Sequence, residues 1–71
     1  MSITPQMVDK AMRGLESERT VEDLASYVGC TRAQALDILD YMTRTGRAVM
    51  SDYQKRKWTL KHNAKAKGVI E

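Results

Sequence analysis

The sequence predicts a mainly helical fold in which a three-helix core is closed by a small β-hairpin. Three observations carry that prediction. Apolar residues recur at helical spacing in three successive stretches, each opened by a threonine suited to cap a helix. The second and third stretches are separated by Gly29 and Cys30 alone. After Gly46 the apolar period shortens to an alternation, interrupted by a short polar tip.

The first helix starts at Thr4-Pro5, a cap followed by a proline whose missing N–H costs nothing at the first helical position. Val8, Ala11, Met12 and Leu15 form its stripe, with Asp9, Lys10 and Arg13 directed to water. Glu16 to Arg19 is a polar connection whose composition leaves open a residue or two of strand pairing. Thr20 caps the second helix, with Asp23 placed to return the bond, and Val21, Leu24, Ala25 and Val28 turn inward. Gly29 supplies a left-handed stop. Thr31 restarts the chain with Gln34 in the capping-box position, and Ala35, Ile38, Leu39 and Met42 make the third stripe before Gly46. Two capped helices joined by so short a turn cannot lie antiparallel and must cross steeply. Arg47–Ser51 and Lys57–Leu60 then read as two strands around a tip at Asp52–Arg56, with Val49, Trp58 and Leu60 expected against the helices.

Seventy-one residues allow one small domain, here residues 4–60, followed by a basic tail at 61–71 expected to be flexible. The net charge of +3 is unevenly spread: residues 1–40 carry four basic against seven acidic side chains, residues 41–71 eight against two. Positive potential gathered in one half suits a polyanionic partner, although a solvated lysine-rich tail has the same composition. One cysteine makes no disulfide and no zinc set, and no apolar run is long enough to span a bilayer. A cytoplasmic protein without membrane attachment is the expectation. His62 stands alone in the basic tail, and there is no phosphate loop and no nucleophile–base pair, so neither catalysis nor a cofactor is expected.

Leu24-Ala25, Val28-Gly29, Thr31, Ala35, Ile38-Leu39, Met42, Gly46-Arg47-Ala48-Val49 and Trp58-Thr59-Leu60, in this order, resemble the winged helix-turn-helix family. The likeness covers Thr20–Leu60 and extends back through the first helix. The family's small residue between its second and third helices corresponds to Ala25. Gly29 and Gly46 stand where the family has its turn glycine and the glycine closing the recognition helix. The resemblance implies a small bacterial or phage transcription regulator that binds duplex DNA sequence-specifically. Its recognition helix, Arg32–Thr45, would enter the major groove and its basic wing would meet phosphate or the minor groove.

On that reading Thr31, Arg32, Ala33, Gln34, Asp37, Asp40, Tyr41 and Arg44 lie outward on the recognition helix. Arg32 suits guanine, and Gln34 suits either adenine or its capping role; N–H groups after Thr31 favour a phosphate. Lys55, Arg56 and Lys57 form the basic tip, with the Tyr53 hydroxyl beside them; the same charges would also discourage edge-to-edge strand pairing. Lys61, Lys65 and Lys67 could add phosphate contacts. Asp37 and Asp40 oppose a phosphate backbone, unless Asp37 accepts from a cytosine amino group or pairs with Arg44 or Arg47. Cys30 and Trp58 read as core. A regulator this small is expected to act as a homodimer or beside a partner protein. The competing reading is a winged-helix protein-interaction module without DNA binding, using Asp37, Asp40 and the acidic first half.

Overall fold

The structure, a computed structural model, describes residues 3–61. Three helices, α1 (Pro5–Gly14), α2 (Val21–Val28) and α3 (Arg32–Arg44), are followed by an antiparallel pair, β1 (Ala48–Asp52) and β2 (Lys57–Leu60). This mainly helical arrangement with its small hairpin is compatible with a winged helix. The basic tail expected at 61–71 lies, beyond Lys61, outside the described residues.

Helix starts follow local chemistry. Thr4, Thr20 and Thr31 each hold extended backbone and accept the N–H of Met7, Asp23 and Gln34 respectively. The box is reciprocal at α3, where the Thr31 N–H donates to Gln34 Oε1 at 3.0 Å. At α2 it runs one way: Thr20 Oγ1 accepts at 3.2 Å, and the Asp23 carboxylate does not return the bond. A carboxylate one methylene shorter than glutamate reaches back less easily.

Helix ends depend on two left-handed glycines. At Gly29 (φ 80°) the N–H groups of Gly29 and Cys30 both donate to the Ala25 carbonyl. At Gly46 (φ 74°) the Gly46 N–H reaches Thr43 O and the Arg47 N–H reaches Met42 O, the paired bonds of a Schellman stop. The last helical residue is therefore Arg44 with Thr45 as cap, one residue short of the expected end at Thr45.

The core joins all five elements: Ala11 and Leu15; Val21, Leu24, Ala25 and Val28; Ala35, Ile38, Leu39 and Met42; Ala48; and Leu60. Each inward position expected on α2 and α3 is buried, while Val8 and Met12 of α1 are half-buried at its edge. The hairpin differs in one respect. Val49 pairs with Thr59 and is half-buried outside the core, whereas Ala48, paired with Leu60, is fully buried. The register, and hence the face each side chain takes, is set by bonds to residues far back in the chain. Leu60 N–H and Thr59 Oγ1 both donate to the Leu15 carbonyl, at 3.0 and 2.8 Å. Arg19 and Trp58 exchange backbone bonds of 2.9 and 2.7 Å, so the Glu16–Arg19 connection does contribute a residue of strand pairing. A bulge between Met50 and Asp52 leaves Ser51 unpaired in the ladder, and its hydroxyl donates to Glu18 at 2.7 Å. The wing is thus tied to the α1–α2 corner, which aims its tip.

Candidate nucleic-acid interface

α3 presents three different flanks, set by its 100° advance per residue. Opposite the core run Ala33, Asp37, Asp40 and Arg44, all exposed. Arg44 binds Asp40, its neighbour one turn back. Asp37 forms no ion pair with Arg44 or Arg47, contrary to one sequence expectation, and is exposed with no partner among the described residues. The outward line of α3 therefore carries no uncompensated positive charge.

The flank towards the wing holds Arg32 and Leu36. Here a groove of about 210 Å³ is lined by Thr20, Val21 and Glu22 at the start of α2, Arg32 and Leu36 of α3, and Lys55, Arg56 and Trp58 of the wing. Arg32 and Arg56, distant in sequence, lie on one side of the molecule. Leu36, 40% exposed, and Trp58 continue into a neighbouring depression of about 300 Å³ with Leu39, Asp40 and Thr43. Arg32 Nε donates to Glu22 Oε2 at 2.8 Å, with both side chains more than half exposed. The Arg32 hydrogen bond, then the Glu22 backbone N–H, hold the Glu22 carboxyl below the ordinary carboxylate range.

Tyr41 occupies the third flank. It follows Arg32 by two and a half turns, so the two residues diverge. Tyr41 lines a separate depression of about 330 Å³ with Ile3, Thr4, Pro5, Val8, Asp9 and Arg47. Gln34 shares this side, and its Oε1 is already engaged by the Thr31 backbone. Of its two sequence readings the capping role is the one realised; a bidentate contact to adenine would require that oxygen.

At the wing tip the Asp52 carboxylate accepts the N–H groups of Gln54 and Lys55, at 3.0 and 3.1 Å, and folds the turn. Tyr53 projects into solvent, 79% exposed. Arg56 closes the turn with φ 54°, the one positive φ outside glycine among the described residues. Left-handed backbone costs an ordinary side chain about 1–2 kcal/mol, and Arg56 bears it where glycine would not. Lys57 opens β2 opposite Asp52 and does not line the groove. Two side chains expected in the core sit at its margin: Trp58 and Cys30 are half-buried, and burial pushes the Cys30 thiol up.

Of the residues read from sequence, the structure brings Arg32, Lys55 and Arg56 together, with Thr31 as the cap beneath Arg32. Ala33, Asp37 and Arg44 stay on the outward line, Gln34 and Tyr41 turn away, and Tyr53 remains at the tip. Glu22, Leu36 and Trp58 were missed as groove residues. A usable signal existed for the first of these: Glu22 and Arg32 carry opposite charges in the opening turns of two helices joined by a tight corner. Against known proteins, the chain matches no family model, and no curated protein or solved structure shows significant similarity to it.

Proposed function

We propose that this chain is a small duplex-DNA-binding protein, a cytoplasmic transcription regulator of bacterial or phage type. The observation that supports the reading is the shared groove, in which Arg32 at the start of α3 and Lys55 and Arg56 at the wing tip converge. Three cations against one carboxylate suit phosphates crossing between a helix in the major groove and the wing beside it. The contact is led by this edge of α3, because its outward line carries Asp37 and a neutralised Arg44. One such edge buries little area, so operator binding would use a homodimer or a partner protein.

Fluorescence anisotropy with labelled duplexes across a salt series tests this. Binding should weaken steeply as salt rises, and K55A with R56A should flatten the log–log slope by about one for each phosphate no longer neutralised. No binding at low ionic strength overturns the proposal. A second reading, a protein-interaction module, is favoured by the exposed Asp37, which has no partner among the described residues, beside the Asp40 that pairs with Arg44. In that case D37N with D40N would weaken partner capture while leaving salt-dependent duplex binding absent from the outset.

A further inference from the structure

We infer that Glu22 is a built-in competitor for the phosphate backbone, occupying the Arg32 guanidinium until a duplex displaces it. The inference rests on the duplex-binding reading above and assigns that site an internal regulator of affinity. Its basis is the position of the one carboxylate in the groove. Three cationic side chains line the cavity, and the single acidic residue lining it bonds Arg32 directly at 2.8 Å. Arg32 uses Nε for that bond; its two terminal nitrogens have no partner among the described residues. Glu22 thus sits in the opening turn of α2 against the Arg32 guanidinium, where an anion already meets a charged donor as a phosphate oxygen would.

The exchange is energetically accessible because the pair is exposed. Water screens both partners, so the contact is weak and can be surrendered. An arriving phosphate brings what Glu22 lacks, simultaneous access to Lys55 and Arg56 from across the groove. Glu22 then serves discrimination: an isolated anion meets an Arg32 whose charge the carboxylate already offsets, whereas a strand supplying several phosphates can outcompete it. Weak, indiscriminate attachment to polyanions is thereby reduced.

The test compares two substitutions that remove the same charge. E22Q keeps side-chain length and helix packing; D9N removes a carboxylate from α1, outside the groove. Affinity for a mixed-sequence duplex is measured by anisotropy at low and moderate salt, for the wild type, E22Q, D9N, R32A and E22Q/R32A, with circular dichroism checking that each folds. E22Q should tighten binding by about three- to fivefold and steepen the salt slope by about one. D9N should change either quantity much less, and the E22Q gain should vanish in the R32A background. Equal gains from E22Q and D9N, or a gain that survives R32A, would overturn the competitor role while leaving duplex binding intact. Absence of binding by all five proteins would instead overturn the duplex reading and this inference with it.

Discussion

Leu15, Leu24, Ile38 and Met42 have no exposed surface, whereas in the hairpin Met50, Ser51, Lys57 and Trp58 remain half-open to solvent. The helices cohere by removing apolar side chains from water, an interaction without direction that tolerates small shifts. The hairpin coheres through directed bonds to three points outside itself: the Leu15 carbonyl, the Arg19 backbone and the Glu18 carboxylate. The contrast explains a division of labour. The helical part supplies most of the core, and the hairpin, held at its base by buried Ala48, Thr59 and Leu60, presents an exposed charged tip at a set angle.

That contrast can be broken most forcefully in the core. I38A should cost about 2–5 kcal/mol, enough in a chain this short to abolish cooperative thermal unfolding followed by circular dichroism. A smaller change separates the hairpin from the helices. Thr59 is fully buried, and T59V removes one of two donors on the Leu15 carbonyl while keeping the shape. The expected loss is about 1 kcal/mol, with faster amide exchange at Trp58 and Leu60 than in α3 by NMR. Equal acceleration throughout would mean that the hairpin and helices open as one unit.

The smallest effect, and the sharpest, belongs to Arg56. R56G relieves a left-handed arginine and should raise stability by about 0.5–1 kcal/mol, read as a higher unfolding midpoint in urea. The same substitution should weaken duplex binding, because it deletes a groove cation. A gain in stability coupled to a loss of affinity would identify the tip as a place where conformational strain is tolerated for contact. A variant neither more stable nor weaker in binding would remove Arg56 from both accounts.

How much is legible in the residues follows the same line. Thr4, Thr20 and Thr31 as caps, Gly29 and Gly46 as stops, and the inward faces of α2 and α3 depend on neighbours within about four positions, and each is found as expected. Val49 is different: its own alternation allows either face, and the choice goes with its ladder partner Thr59, whose hydroxyl bonds the Leu15 carbonyl 44 residues back from Thr59. The candidate site divides similarly. Lys55 and Arg56 are recognisable as a basic tip, and Arg32 as an exposed helix start. That these three share a groove with Glu22, while Gln34 and Tyr41 turn from it, depends on the crossing of α2 and α3 and on where the wing is anchored.

Taken alone, the sequence determined the kind and order of the elements, their caps, and most of the residues that leave water, since periodicity and helix-end chemistry act over a single turn. Tertiary structure alone decided the hairpin's register against α1, the pairing of Arg32 with Glu22, and which charged side chains meet. Those outcomes depend on contacts between segments whose separation along the chain gives no local signal, and on a geometry that exists once the core has closed.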